Sequence, residues 1–414
     1  MTLIPAYRIL AEKMAYQQNN KDFNMPESLL KMFTFAYTEE EAQIASHLGF
    51  IPRTAKVIAR KAIRPLHEVE PVLKSLAGRL LILGLTTKNK TVYSLFPFAP
   101  GFVELQIAVS QGKDVEYGTA FVRLFDAFYN EFGDIIRPVM ADRDKLELVR
   151  IIPIEQSIQG ISGLNTIAFP SDIFSEIIDR NSSFAQLECV CRTATEYLGK
   201  GCDKPKDVCS MMGVMADFMI EKGLGRRVSR EEFIDAKVRA AEVGLVNLVD
   251  NILDPMQVCS CCSCCCYAVR LLTQHNYPAL IANSHFEPVI DTQNCQGCGE
   301  CIKWCPVNAL SLSDEKGAVD YKRCIGCGIC VSKCSNHSIS LKERANYQPP
   351  PDDIVNFAIQ KYLEVKKYDK NGFIPRASLG IGRFISNFIQ PKVVGPKYKY
   401  NPEFWKNQYS KSLK

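Results

Sequence analysis

The chain has 414 residues, of which 47% are hydrophobic and 23% charged, and this composition is that of an ordinary globular protein with two or three domains. Its net charge of +5 is too mild to indicate nucleic-acid binding by itself. No apolar run approaches the roughly 18 residues needed to span a bilayer, and the N-terminus lacks the pattern of a signal peptide. We therefore expect a cytoplasmic protein, whose 18 cysteines indicate metal binding rather than disulfides.

The first hundred residues predict three helices followed by a β-hairpin. Thr38 and Glu41 have the spacing of a capping box, which starts the first of these helices. The other elements are predicted over 53–62, from Pro65, over 80–85 and over 91–95. This order is typical of a winged-helix domain, which we place at 1–100. The third helix mixes acidic and basic residues, so a docking or packing role is favoured over DNA binding.

Residues 101–283 are predicted to form a cysteine-rich domain of helical and α/β character. Cys189 and Cys191 alternate with other residues, so we expect both thiols on one face of a strand over 184–190. Cys209 is expected to begin a helix that carries several methionines. The methionine stripe indicates an adaptable core rather than a copper site.

Six of the eight residues from 259 to 266 are cysteine, and this density is the most unusual feature of the middle region. Thiolate is a soft ligand for iron–sulfur clusters and zinc, so metal binding is favoured over a store of free thiols. The candidate ligands of the middle region are Cys189, Cys191, Cys202, Cys209, Cys259, Cys261, Cys262, Cys264, Cys265 and Cys266. They could bind one or two further [4Fe-4S] clusters, one cluster and zinc, or an unusual multi-iron centre, and the sequence leaves these alternatives open.

Two further cysteine runs follow, each with the spacing C-x2-C-x2-C-x3-C. The first contains Cys295, Cys298, Cys301 and Cys305, and the second contains Cys324, Cys327, Cys330 and Cys334. Structural zinc is the alternative, but two complete runs favour [4Fe-4S] clusters. The glycines beside these cysteines allow the backbone to approach the inorganic sulfurs.

Residues 284–348 form the predicted cluster domain, and about 284–345 resembles a bacterial-type two-cluster ferredoxin domain, a duplicated β-α-β unit. In such domains the fourth cysteine of each run starts a helix and reaches the other cluster. Cluster 1 is then bound by Cys295, Cys298, Cys301 and Cys334, and cluster 2 by Cys324, Cys327, Cys330 and Cys305. Pro306 follows the first run, whereas Ser335 stands at the equivalent place in the second, which weakens the turn and leaves the ligands intact.

The order of the cysteine motifs resembles that of uncharacterised iron–sulfur dicluster proteins of anaerobic bacteria and archaea. In those proteins a cysteine-rich segment of this kind also lies between a winged-helix-like start and a ferredoxin domain. The fold class is therefore predicted as α+β, with a C-terminal helix and basic tail at 349–414. The tail is expected to contact its own protein or an acidic partner rather than nucleic acid.

Our first functional hypothesis is an electron-transfer protein, a ferredoxin-type carrier or electron-input subunit that serves a partner oxidoreductase in an anaerobe. The second is an iron–sulfur enzyme subunit with its chemistry at 259–266. The third is a redox-responsive DNA-binding regulator. The sequence contains no strand-borne G-x-G-x-x-G motif for a flavin or nicotinamide, so a self-contained dehydrogenase is not expected. It does not identify the electron donor, the acceptor or the oligomeric state.

Overall fold

The computed structural model describes residues 5–14, 25–87, 90–140, 147–154, 157–158, 174–275, 281–282, 284–345, 347 and 349–351. The predicted C-terminal helix and basic tail after residue 351 lie outside these residues. Helices and sheets are both present, which agrees with the predicted α+β class. Within the described part of the chain, no helix combines the length and apolar character needed to cross a bilayer.

The chain divides into two compact units. The described residues of Met1–Ile135 and Thr193–Gly201 belong to the first, and those of Ile136–Arg192 and Cys202–Asp353 belong to the second. The boundaries predicted near residues 100, 283 and 348 stay predictions.

The first unit is mainly helical. Its elements are α1 (Pro5–Met14), α2 (Glu27–Ala36), α3 (Glu39–Ala45), β1 (Arg53–Thr54), α4 (Ala55–Ala62), α5 (Leu66–Gly78), β2 (Leu83–Thr87), β3 (Lys90–Ser94), α6 (Val103–Ser110) and α7 (Val115–Met140), the last of which continues into the second unit. The three strands pair antiparallel in the order β1–β3–β2. Buried aromatic rings form the core on the helical side, where Phe33 stacks on Phe102 and Phe121 meets Phe102 edge to face.

Helix α3 begins at the predicted capping box. The Glu41 backbone N–H donates to Thr38 Oγ1 over 3.3 Å, and the Glu41 carboxylate accepts from the Thr38 N–H over 2.9 Å. Both contacts satisfy backbone donors that the first helical turn leaves without intrahelical partners.

Replacing Thr38 by alanine should therefore lower the free energy of unfolding by about 1 kcal/mol. Thr54 provides a matched control in the same unit, because it precedes α4 without a capping hydrogen bond from its side chain. Thr54→Ala should cost less than about 0.5 kcal/mol. Urea unfolding followed by far-UV circular dichroism measures the free energy of unfolding of both variants. Equal losses of stability in the two variants would contradict the role of the capping box.

The second unit contains the cysteine-rich segments and the C-terminal cluster domain. Its elements are β4 (Val149–Ile152), α8 (Phe174–Asp179), β5 (Phe184–Leu187), α9 (Val190–Tyr197, shared with the first unit), β6 (Cys209–Met212), α10 (Gly213–Glu221), β7 (Arg226–Arg227), α11 (Arg230–Glu242), β8 (Val246–Asp250), β9 (Gln257–Cys261), α12 (Tyr267–Gln274), β10 (Ile281–Ala282), β11 (Phe286–Ile290), α13 (Glu300–Trp304), β12 (Leu310–Ser313), β13 (Lys316–Val319), α14 (Ile329–Ser332) and β14 (Ile339–Glu343).

A seven-stranded sheet organises this unit, in the order β10–β4–β8–β9–β6–β5–β7. Among the described strands of this sheet, β10 and β4 pair parallel and the other neighbouring strands pair antiparallel. Two small antiparallel pairs accompany the C-terminal cysteine runs. In the β11–β14 pair, β11 precedes the first run and β14 follows the second, and the β12–β13 pair lies between the two runs in the chain. The sheet therefore brings β6 and β9, both of which carry cysteine, next to each other.

Three local predictions were wrong. The strand over 184–190 ends at Leu187, because the Cys189 N–H donates to the Lys206 carbonyl over 2.7 Å and the chain then enters α9, where Cys191 lies. Cys209 begins a strand rather than a helix, since it pairs with Leu187 across the β5–β6 ladder. In both places pairing between distant segments decided the conformation.

The third error concerns the helices of the cluster domain. Cys305 and Cys334 follow short helices rather than starting them. Gly299 and Gly328 adopt the left-handed conformation just before these helices, so that Cys301 and Cys330 lie within them. A positive φ at glycine carries little steric cost, and it allows the chain to turn into the helix one residue after each glycine.

Candidate metal centres

The outer set is formed by Cys295, Cys298, Cys301 and Cys334, which together line one cavity. Cys298 is exposed and the other three are half-buried. The Gly317 N–H donates to Cys295 Sγ over 3.3 Å, and the N–H groups of Gly317 and Gly297 lower the pKa of that thiol. Donation from the backbone stabilises a thiolate, so this site favours the ligating form of cysteine.

The inner set is formed by Cys305, Cys324, Cys327 and Cys330, which line a second cavity. The last three are buried, and burial raises the pKa of each of their thiols. The Ala309 N–H donates to Cys305 Sγ over 3.2 Å. Four thiols that converge on one cavity are a suitable donor set for a [4Fe-4S] cluster, whose iron charge offsets that of the thiolates.

Each cavity therefore receives three cysteines from one run and one from the other run. The ferredoxin resemblance predicts such an exchange of the fourth cysteine between the two clusters. The two sets also share an apolar cluster, in which Leu310, Cys330 and Ile339 are packed against Cys301, Cys305 and Cys334.

Basic residues near the two sets have specific partners. Lys333 lies over the Trp304 ring, 4.2 Å from its centroid, and donates to the Glu242 carbonyl. Arg323 donates to the Val307 carbonyl, and Lys303 pairs with Glu300. The positive charge beside the two sets is thus distributed among aromatic, carbonyl and carboxylate partners.

The ten cysteines of the middle region fall into two groups. The four-thiol set contains Cys202, Cys262, Cys264 and Cys265, whose Sγ atoms all lie within 4.8 Å of one another. Cys264 is exposed, whereas Cys262 and Cys265 are buried. Tetrahedral Zn–S bonds of about 2.3 Å place the sulfurs about 3.8 Å apart, so four thiolates at such distances suit a structural zinc ion, whereas the larger [4Fe-4S] core holds its thiolates farther apart.

The other six cysteines form a closed series, which we call the six-thiol ring. Each thiol shifts the pKa of two others, and the successive pairs follow the order Cys189, Cys191, Cys266, Cys261, Cys259, Cys209 and back to Cys189. The Sγ atoms of Cys261 and Cys266 are 3.1 Å apart. Hydrogen bonds from Cys209 and Cys261 lower the pKa of Cys259, so the ring favours a thiolate there.

Two buried cations lie beside the ring. Arg192 is 1% exposed and Lys237 is 3% exposed, and both act electrostatically on Cys189, Cys209 and Cys261. Arg192 directly follows Cys191 in the chain, whereas Lys237 was not among the residues predicted from the sequence. A signal was present, because Lys237 occupies a position at helical spacing with the buried Phe233 and Ala240 of α11.

Comparison with known families identifies the kind of domain that the C-terminal segment forms. Residues 287–335 match the family model of the 4Fe-4S dicluster domain. No curated protein sequence matches the chain. This segment is therefore a ferredoxin-type 4Fe-4S domain, and it gives the protein an iron–sulfur electron-transfer role.

Proposed function

We propose that the protein relays single electrons to a partner oxidoreductase, as a ferredoxin-type carrier or an electron-input subunit. The observation that carries this proposal is the pair of cavities, each lined by four cysteines in the combination expected for two [4Fe-4S] clusters. A bound [4Fe-4S] cluster accepts and releases one electron at a time. The proposed ligands are those of the outer set for cluster 1 and those of the inner set for cluster 2.

The difference in burial suggests where a partner protein exchanges electrons. Cys298 of the outer set is exposed, whereas Cys324, Cys327 and Cys330 of the inner set are buried. We therefore place the docking surface for the partner at the Cys298 loop. The inner set lies deeper, where Cys324 and Cys327 share an apolar cluster with Cys261 and Cys266.

The proposal predicts the metal content and redox behaviour of the protein. Protein purified without oxygen should contain at least about eight iron atoms per chain with matching labile sulfide. After reduction with dithionite it should show the EPR spectrum of reduced [4Fe-4S] clusters. Mixing with a one-electron acceptor dye should then reduce one dye molecule for each cluster that is reoxidised.

The matched control for this experiment is Cys298→Ser, which removes an exposed ligand of the outer set. Electron transfer to the dye should slow, while the EPR signal of the inner cluster remains. Colourless protein that contains zinc without labile sulfide would disprove the electron-transfer proposal.

A second candidate function is an iron–sulfur enzyme subunit with its chemistry at 259–266. The observation that favours it is the apolar cluster that joins Cys261 and Cys266 to Cys324 and Cys327 of the inner set. An electron that reached the inner set would then be close to the middle cysteines. A substrate-induced change in the spectrum of the middle region would support this function, whereas spectra insensitive to every added small molecule would favour simple electron transfer.

We also propose that the winged-helix-like domain predicted at 1–100 docks onto protein. The order of α3, α4, α5 and the β2–β3 hairpin supports this reading. Charged residues of α5 form local ion pairs. Lys74 pairs with Glu70 over 2.9 Å, and Arg64, just before the helix, pairs with Glu68 over 3.2 Å. A DNA-reading helix instead needs basic side chains available to phosphates and bases, so the regulator hypothesis is disfavoured.

The setting that we propose is the cytoplasm of an anaerobic cell. Eighteen cysteines favour a reducing compartment, in which thiols stay available to bind metal. The resemblance to dicluster proteins of anaerobes supports the same setting.

A further inference from the structure

The four-thiol set lies outside the ferredoxin-type segment, and its thiols come from two separate parts of the chain. Cys262, Cys264 and Cys265 follow β9 directly, and Cys202 belongs to the connection between α9 and β6. Two residues separate Cys262 from Cys265, which is the C-x2-C spacing found in structural zinc sites. One short turn therefore supplies three thiols, and a distant loop supplies the fourth.

The turn that carries three of the thiols is closed by its own backbone. The Cys266 N–H donates to the Cys262 carbonyl over 3.3 Å, so the chain between these residues bends back on itself. This closure allows thiols that are three residues apart to approach one point. Cys262 and Cys265 are buried there, and Cys264 is exposed.

The spacing of the sulfurs decides which metal centre fits the set. All four Sγ atoms lie within 4.8 Å of one another, and those of Cys264 and Cys265 are 3.7 Å apart. Sulfurs bound tetrahedrally to one zinc ion are about 3.8 Å apart. In a [4Fe-4S] cluster each thiolate binds a different iron atom, so the core separates the thiolates further. The outer and inner sets instead line cavities, which leave room for such a core.

The surroundings of the set suit a closed site. Cys262 and Cys265 belong with Leu245 to an apolar cluster, and Cys202 packs against that cluster. Four thiolates around one divalent ion leave negative charge on the site. The Arg192 guanidinium, which is 1% exposed, acts electrostatically on Cys262 and offsets part of this charge.

The loop of Cys202 also contacts the ferredoxin-type domain. Lys204, two residues later, donates to the Val243 carbonyl over 2.7 Å and lies over the Trp304 ring, 5.8 Å from its centroid. Trp304 belongs to α13 of that domain. An ion bound at Cys202 would hold this loop in place against α13.

We propose that the four-thiol set binds one zinc ion in a closed tetrahedral site formed by Cys202, Cys262, Cys264 and Cys265. Each thiol releases its proton as it binds the ion. Zinc has no redox chemistry, so this site stabilises the fold and takes no electron from the clusters. The proposal does not depend on the electron-transfer function.

The test uses the full chain, produced with both iron and zinc supplied and purified without oxygen. Cys202→Ser and Cys264→Ser each remove one ligand, from the two separate parts of the chain. Both variants should lose about one zinc ion per chain, while iron and labile sulfide stay unchanged. Elemental analysis measures both metals, and the EPR signals of the ferredoxin-type domain show that the variants have folded.

Two control variants lie in the same segment as three of the ligands. Ser263→Ala changes an exposed residue between Cys262 and Cys264 and should keep the zinc ion. Cys259→Ser removes a half-buried thiol outside the four-thiol set and should also keep it. Together they show whether zinc loss follows from the ligands themselves or from any change in the segment.

The proposal is overturned if Cys202→Ser and Cys264→Ser lose iron instead of zinc, if they keep their zinc, or if Cys259→Ser loses it as well. Should the ligand variants fail to fold, zinc X-ray absorption of the unmodified protein decides the question. The spectrum should show four sulfur neighbours at about 2.3 Å. Nitrogen or oxygen neighbours, or protein without zinc, would overturn the proposal. Electron transfer to the dye does not enter this decision, so failure of that function remains a separate result.

Discussion

Cys327→Ser is expected to remove about four iron atoms per chain and to lower the free energy of unfolding by about 4 kcal/mol or more. Cys327 is only 8% exposed and packs with Cys324 and Ile329 in the apolar cluster of the second unit. Loss of one ligand removes the binding energy that a metal centre adds to the folded state, and it also buries a hydroxyl group. Iron analysis and thermal unfolding under anaerobic conditions measure both effects.

The matched control for Cys327→Ser is Cys298→Ser, at the equivalent position of the first run. Cys298 is exposed, so its replacement should remove a similar amount of iron with a smaller loss of stability. Unchanged iron content and EPR spectra in Cys327→Ser would show that Cys327 is not a cluster ligand. Equal losses of stability in the two variants would contradict the assignment of the inner set to the core.

Gly297→Ala should be the most damaging single methyl addition in the outer set. Gly297 has a φ of +65°, and a Cβ atom there would lie 2.1 Å from the Glu315 carbonyl oxygen. The left-handed conformation and the forced backbone shift should together cost about 2–5 kcal/mol. The amount of iron bound by the outer set should also fall, since Cys295 and Cys298 flank the displaced backbone.

Gly299→Ala separates the cost of the left-handed conformation from the cost of the backbone shift. Gly299 has a similar φ of +75°, but no atom lies within 4 Å of the position that its Cβ would occupy. This variant should therefore cost only the conformational term, about 1–2 kcal/mol, and should keep its iron. If the two alanine variants lose equal stability and equal iron, the close approach of the Gly297 backbone to Glu315 has no role.

The local patterns of the sequence were reliable where one short segment supplies all the information. The capping box at Thr38 and the helices and hairpin that follow it lie within a few residues of their predicted positions. The repeated C-x2-C-x2-C-x3-C spacing predicted a ferredoxin-type segment, and the family match confirms it. Such motifs work because a turn with two-residue gaps presents thiols in one direction whatever surrounds it.

Predictions failed where the partner of a segment was distant in the chain. Cys191 and Cys209 were assigned to the wrong kind of element, because the β5–β6 ladder and the Cys189 to Lys206 contact override the local alternation. Lys237 was missed for a related reason, since its buried acceptors on Val208 and Val258 belong to other segments. Local propensity is a weak guide when pairing across a sheet decides conformation.

The amino-acid sequence alone determined that this is an iron–sulfur protein, because the spacing of each C-terminal run specifies its chemistry within a dozen residues. It could only count the ten thiols of the middle region. The tertiary structure divided them into a set of four and a ring of six and placed Arg192 and Lys237 beside the ring. The reason is physical: the ring is assembled by antiparallel strands and a helix start far apart in the chain, and their contacts form only when the sheet does.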